Sequence, residues 1–290
     1  MKVKEEGRMK GEGRLTGTSE DGLPYAVDCT ARADGALAFT VTAAGPAGLV
    51  LKRRKSGDRV RLALTPSPDG LPGAVLDAAA GLREGRWDVF TEGPDGERRA
   101  EPGLRDLREL IDRTPDPAAT TVAARIPYRT ADGLLAVRSW SRAPHAEAGA
   151  LTVRGGGLTV DGRLYGAEPG PDAVVEARLR GAPGEVHREP VRTGGDGAFS
   201  CTLPCRALAG GAEGAGGAAR IWDLWLLPGG AAGGGPAARI SRILDDIADR
   251  KSVFVYPGSP CGDGAERPVT ATPYYTVDND LSVRLDPPKG

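Results

Sequence analysis

Short runs in which apolar and polar side chains alternate recur along the chain, and each predicts a β-strand with one packed face and one wet face. In residues 58–64, Val60, Leu62 and Leu64 share a face, and looser alternation marks residues 36–42, 158–165 and 173–179. Residues 85–90 and 220–225 are more explicit. Trp87 with Val89, and Trp222 with Leu224, point one way while Asp88 and Asp223 point the other, which predicts a central strand in a sheet packed on one side. The pairs Asp34-Gly35, Ser56-Gly57, Asp69-Gly70, Asp132-Gly133 and Asp161-Gly162 fall between such runs as turns. Two blocks carry helical spacing instead. Leu104, Leu107, Leu110 and Ile111, then Ile240, Ile243, Leu244 and Ile247, each predict one short amphipathic helix.

Three blocks recur in the same order, which divides the chain without reference to any other protein. Residues 29–35 match 151–157, and Gly85-Arg-Trp-Asp-Val-Phe90 matches Arg220-Ile-Trp-Asp-Leu-Trp225, each followed by its helix-like block. The third match is residues 126–138 with 272–284, where Pro, Tyr, Thr, Asp, Leu, Val and Arg coincide without a gap. The expectation is an all-β fold of two tandem immunoglobulin-like antiparallel β-sandwiches, each with a short helix, over residues 25–147 and 149–286. Residues 1–24 are charged and Gly-rich and read as a disordered tail. The Gly/Ala stretches 207–218 and 228–236 read as flexible loops, because neither has the spacing of a phosphate cradle.

Composition narrows the function. The 43 Gly and 24 Pro among 290 residues favour turns over long helices. With 38 basic and 39 acidic side chains the net charge is −1, which offers no overall footprint for nucleic acid or an anionic membrane. No apolar run approaches the roughly 18 residues of a membrane span, and no apolar signal segment follows the charged start. A cytoplasmic protein is expected. Cys29, Cys201, Cys205 and Cys261 are too sparse for a disulfide framework and read as buried thiols, with Cys201 and Cys205 a packed pair.

Candidate chemistry is thin. The two histidines, His145 and His187, sit in no motif and no Gly-x-Ser-x-Gly elbow occurs, so no catalytic residue is assigned. Asp278-Asn279-Asp280 has the form of a metal-binding Asp-x-Asp, yet its counterpart in the repeat is Asp132-Gly133-Leu134, an ordinary turn. No metal and no cofactor are predicted. Lys52-Arg-Arg-Lys55 reads as a solubilising strand end, and the repeated tryptophans read as core. Tyr274, Tyr275 and Trp225 are the rings placed to stack on a sugar or touch a partner.

The Trp-Asp blocks, the Arg-containing helix-like segments and Pro273-Tyr-Tyr-Thr-Val-Asp-Asn-Asp-Leu-Ser-Val-Arg284 together resemble the accessory β-domains of actinobacterial cell-wall polymer proteins. Such domains accompany glycosyltransferases and CDP-glycerol glycerophosphotransferases of teichoic-acid type. The resemblance covers most of residues 25–286 but only the β-rich accessory part, so it brings no catalytic residue. It implies a non-catalytic binding or interaction protein, accessory to glycopolymer or glycoconjugate biosynthesis, whose partner is a glycan or a partner transferase. The alternative is a glycosyl or glycerophosphate transferase with a cleft at the junction of the repeats, drawing on His145 and Asp278. A scaffold role with no small ligand is the third reading.

Overall fold

The alternating runs fold as strands whose apolar sides meet in two buried clusters. The computed structural model describes residues 24–66, 70–111, 113–210, 218–233, 235–262 and 268–288. Of the tail expected at 1–24 all but Pro24 lies outside these residues, as does the middle of the first Gly/Ala stretch.

The first half contains β1 (Ala26–Ala31), β2 (Leu37–Val41), β3 (Gly48–Arg53), β4 (Arg59–Ala63), β5 (Thr65–Pro66), β6 (Pro72–Leu76), β7 (Gly85–Gly93), β8 (Gly96–Arg99), β9 (Glu101–Asp106), β10 (Val122–Arg129) and β11 (Leu135–Arg142). They form two sheets, ordered β5–β6–β2–β1–β9 and β10–β11–β7–β3–β4, with β8 also on β7. The second half contains β12 (His145–Arg154), β13 (Gly157–Tyr165), β14 (Val174–Leu179), β15 (Val186–Pro190), β16 (Arg192–Thr193), β17 (Ala198–Pro204), β18 (Arg220–Leu227), β19 (Ala238–Ser241), β20 (Ser259–Cys261), β21 (Val269–Tyr275) and β22 (Leu281–Asp286). Here β16–β17–β13–β12–β19 continues through β18 into β22–β21–β20, and β14 joins β18 to β15.

Strand alternation decides what is buried. β7 turns Trp87, Val89 and Thr91 inward, and β18 does the same with Trp222, Leu224 and Leu226. Each indole satisfies its N–H locally, Trp87 on the Arg83 carbonyl and Trp222 on the Leu208 carbonyl, both at 3.0 Å. Burying such a ring with its donor paired keeps the large apolar gain without a desolvation cost. The first cluster gathers Val27, Phe39, Leu49, Trp87 and Val137, and the second gathers Leu158, Val175, Trp222, Tyr275 and Val283.

The repeated segments 126–138 and 272–284 are hairpins in the same register. Tyr128 lies opposite Ala136 as Tyr274 lies opposite Ser282. Both turns need one left-handed residue, Gly133 (φ 86°) in one and Asn279 (φ 60°) in the other, and asparagine is among the residues that tolerate it. The β1–β9 and β12–β19 pairs are parallel, an uncommon feature in an otherwise antiparallel set, and they occupy corresponding places in the two halves.

The two expected amphipathic helices do not form. Residues 101–106 pair along β1, Leu104 N–H donates to Asp28 Oδ1 at 2.6 Å, and a short 3₁₀ turn follows at Arg108–Leu110. Leu104 is 71% exposed and Ile111 55%, so only Leu110 and Leu107 of the apparent apolar stripe reach the first cluster. Eight residues are too few to sustain a helix without tertiary help, and the adjacent edge of β1 offers the backbone better partners. In the second block Ile240 belongs to β19, while Ile243 crosses into the first cluster. The only α-helix among the described residues is the single turn α1 (Cys205–Leu208). None is long and apolar enough to cross a membrane.

The cysteines also differ from expectation. Cys205 and Cys261 form a disulfide with Cα atoms 5.9 Å apart, leaving Cys29 and Cys201 as buried thiols. Cys201 and Cys205 are not a pair, because the chain leaves the strand at Pro204 and the second thiol turns toward β20. Burial pushes the Cys201 thiol up to about 12, so it is inert at neutral pH. Thiol titration in denaturant should therefore find two reactive groups before reduction and four after it. The loop closed by the bridge spans 56 residues of separation, and Cys261→Ser should lower unfolding stability by about 4 kcal/mol.

Candidate functional site

The wet face of the β14–β18–β22–β21 sheet carries the most organised polar surface in the second half. Because Trp222 and Leu224 face inward, Asp223 and Trp225 face outward. Trp225 is flanked by two guanidinium groups, Arg178 at 4.3 Å and Arg239 at 5.5 Å from its ring centre. Such cation–π contacts contribute roughly 0.5–2 kcal/mol each, depending on how far water is excluded.

Two carboxylates fix the arginines in place. Glu176, which pairs across from Trp225, accepts from Arg178 Nε and Arg188 Nε, both at 2.6 Å. Asp223 Oδ1 accepts from Arg180 Nη2 at 2.6 Å, Arg239 Nη2 at 2.8 Å and Ser282 Oγ at 2.7 Å. Arg180 Nη1 also donates to Tyr274 Oη at 3.2 Å. Burial pulls both carboxyls upward, but the hydrogen bonds from their arginine partners outweigh it and the net shift is downward for each. These carboxylates are held ionised and act as anchors, not as proton donors or acceptors near neutral pH.

A similar arrangement lies on the first half. Phe90 points outward from β7 with Lys52 Nζ at 4.3 Å and the Arg99 guanidinium at 5.5 Å from its ring centre. Asp88 accepts from Arg54 Nη2 at 2.7 Å and lies 3.1 Å from Arg99, and Glu97 is paired with both Lys52 and Arg59. Of these cations only Lys52 and Arg54 stand out in the sequence, where Lys52-Arg-Arg-Lys55 reads as a solubilising strand end. The signal was present in the Trp-Asp-x-aromatic blocks, whose fourth residue must share the outward face of the Asp.

The three rings expected at a contact surface separate. Trp225 and Tyr274 lie half-buried on the outer face. Tyr275 is 0% exposed, packed edge-on against Phe254 at 5.9 Å and beside Tyr256 at 6.4 Å, so its ring is core and not a surface contact. Adjacent strand residues face opposite ways, and only one of this tyrosine pair can be outside.

The junction proposed for an enzyme site is occupied by structural pairs. Arg138 Nη2 donates to Asp278 Oδ1 at 2.8 Å, and Trp140 Nε1 donates to the Asp278 carbonyl at 3.1 Å. Arg142 reaches Asp280 Oδ1 at 2.8 Å, Ser241 Oγ at 2.7 Å and Glu84 Oε1 at 2.9 Å. His145 is buried and shares a 2.7 Å hydrogen bond with Glu147, whose carboxylate also accepts the Ile243 and Leu244 N–H groups. His187 pairs with Glu189 at 2.7 Å. Asp278-Asn279-Asp280 is the β21–β22 turn, and no group of three or more His, Cys, Asp or Glu side chains is disposed to hold a metal among the described residues.

No protein-family model matches the sequence, and no curated protein matches it. Among solved structures, a crystal structure of S. aureus TarS is similar at 12% identity and a TM-score of 0.37, covering 50% of this chain and 25% of that one. A shorter form of TarS gives 12% identity and 0.37, covering 70% of this chain and 45% of that one. A tetra-tandem repeat in the extending region of a large adhesion protein gives 14% identity and 0.20, covering 91% and 66%. The chain spans a quarter to under half the length of the TarS chains it matches.

Two outcomes follow from this geometry. Tyr275→Ala should cost about 3–5 kcal/mol in urea unfolding, while Tyr274→Ala stays within about 1 kcal/mol. Glu176 and Asp223 are depressed in the folded chain, so their stabilising contribution is full above about pH 4–5 and is lost as pH falls through their folded values. A urea midpoint that declines on acidification should decline less in the Asp223→Asn variant, measured against its own neutral-pH value.

Proposed function

We propose that the chain is a duplicated pair of immunoglobulin-like β-sandwiches, residues 25–147 and 149–286, that binds a phosphate-bearing glycopolymer without catalysing its formation. The shared hairpin register and the corresponding parallel pairs β1–β9 and β12–β19 support the duplication. The observation that carries the function is the outer face of the second unit. Trp225 and Tyr274 lie there among Arg178, Arg180, Arg188 and Arg239, and Glu176 and Asp223 hold those guanidinium groups in place.

Pre-oriented guanidinium forks suit phosphate or carboxylate oxygens, and the rings offer apolar faces to the C–H side of a sugar. A polymer that alternates polyol or sugar with phosphate presents both chemistries at repeat distances. The cell-wall assignment itself rests on the resemblance of the Trp-Asp blocks and residues 273–284 to accessory domains of teichoic-acid type proteins. The transferase alternative loses support because His145 and Asp278 are committed to Glu147 and Arg138. The Cys205–Cys261 bridge weighs against the expected cytoplasmic location and favours a compartment where disulfides persist.

Titration with poly(glycerol phosphate), followed by intrinsic tryptophan fluorescence and calorimetry, tests the reading. Binding should weaken at least about tenfold in Trp225→Ala and in Arg178→Ala/Arg239→Ala, and should fall with added salt. Equal binding by these variants would overturn the site. Turnover of CDP-glycerol or a nucleotide sugar above background would overturn the non-catalytic role.

A further inference from the structure

A second polar site lies where the two halves meet. Residues 114–120, which lead into β10, face the end of β13 and residues 166–168 across a groove of about 560 Å³. That size falls within the roughly 300–1,000 Å³ of small-molecule sites. Leu164 is buried in the second cluster, so strand alternation turns Arg163 and Tyr165 the other way, into the groove.

The groove is built on fixed parts. The Tyr165 ring is stacked on the buried His145 with centroids 6.4 Å apart and planes 11° from parallel, and it also packs against the first cluster. Beneath it His145 is held by Glu147, and Glu147 by the Ile243 and Leu244 amides. At Gly166 (φ +75°) a Cβ would sit 2.4 Å from the Thr120 carbonyl oxygen, so the two walls touch through backbone and close the groove at that point.

Of the charged side chains lining this groove, Asp116 holds its own turn by accepting the Ala118 N–H at 2.9 Å, and the others are not used by the fold. Among the described residues, the side chains of Arg163, Glu168 and Asp196 have no hydrogen-bond or ion-pair partner, whereas Glu176, Asp223, Asp88 and Glu97 on the sheet faces are each held by at least two cations. One fork of donors, two carboxylate acceptors and a rigid ring match the alternating donor and acceptor demands of vicinal sugar hydroxyls above an apolar ring face. Acceptors outnumber the single cation, which selects against phosphate and carboxylate ligands. We propose that this groove is a saccharide site for one or two rings of a neutral or amino-bearing sugar, distinct from the Trp225 face.

The test uses the full chain with glucose, glucosamine, N-acetylglucosamine, chitobiose and glucuronic acid, read by saturation-transfer NMR and calorimetry. At least one neutral or amino sugar should bind, with glucuronic acid at least about tenfold weaker. Ala118→Trp, a change at an exposed lining position that fills the groove, should abolish binding. Glu168→Ala/Asp196→Ala should weaken it about tenfold or more, since each lost acceptor leaves a ligand hydroxyl unpaired. Trp225→Ala should leave it unchanged, which separates this site from the polymer-binding face. Absence of transfer to every sugar, wild-type binding by Ala118→Trp, preference for glucuronic acid, or loss in Trp225→Ala would each overturn the proposal.

Discussion

The structure depends on how β11 buries its outward side. Arg138, Trp140 and Arg142 alternate along that strand where an exposed sheet face would otherwise stand, and all three bind the turn at residues 278–280. Trp140 is 0% exposed, so the indole has lost water on both faces and its N–H must find an acceptor inside the contact. It finds the Asp278 carbonyl, with the Arg138 guanidinium 4.8 Å from its ring centre. Removing Asp278 would strand the buried Arg138 guanidinium, whereas the Asp278 carboxylate is itself half exposed to solvent. The contact is therefore better understood as fixing geometry than as adding stability.

That turn also organises what lies behind it. Asn279 accepts the Arg250 N–H at 3.1 Å and donates to the Ile247 carbonyl at 3.1 Å. Arg250 is buried and donates to the Arg242 carbonyl at 2.5 Å, which closes the excursion between β19 and β20 on itself. The same excursion sends Ile243 into the first cluster and its amide to Glu147, beside His145 and the Tyr165 wall of the groove. A displacement of the turn would thus be felt in both cores. The Asp-x-Asp form of these residues reflects this scaffold role, since each carboxylate already has an arginine.

Much of this was legible in the sequence where a pattern was local and periodic. The Trp-Asp alternation gave the inward and outward sides of β7 and β18, and the third repeated block marked both hairpins with their turns. Helical spacing misled at residues 104–111 and 240–247 because periodicity reports which side could be apolar, not which backbone partner is near; β1 and β12 supplied parallel edges that outcompeted an isolated helix. The disulfide joins residues separated by 56 positions, and nothing local in either segment signals the other. Tyr275 was misplaced for want of a parity anchor, although the inward course of Ala271 and Pro273 settles it once β21 is set. The arginines around Trp225 come from β14, β15, β19 and the residue after β14, so no motif could have gathered them.

Overall charge was the least informative reading, and the reason is spatial. A net charge of −1 over 290 residues hides two faces with a local cationic surplus. Around Trp225, Arg178, Arg180, Arg188 and Arg239 share Glu176 and Asp223; around Phe90, Lys52, Arg54, Arg59 and Arg99 share Asp88 and Glu97. Around Phe90 four cations meet two carboxylates, and around Trp225 four cations meet the same number with Asp280 also 3.8 Å from Arg239, enough acid to orient the forks and too little to neutralise them. The groove at Tyr165 inverts the ratio, with Asp116, Glu168 and Asp196 against Arg163. Charges a Debye length apart, about 8–10 Å at physiological salt, are largely screened from each other. Each surface therefore presents its own charge balance, and a chain neutral in sum carries cation-rich sheet faces beside an acid-rich groove.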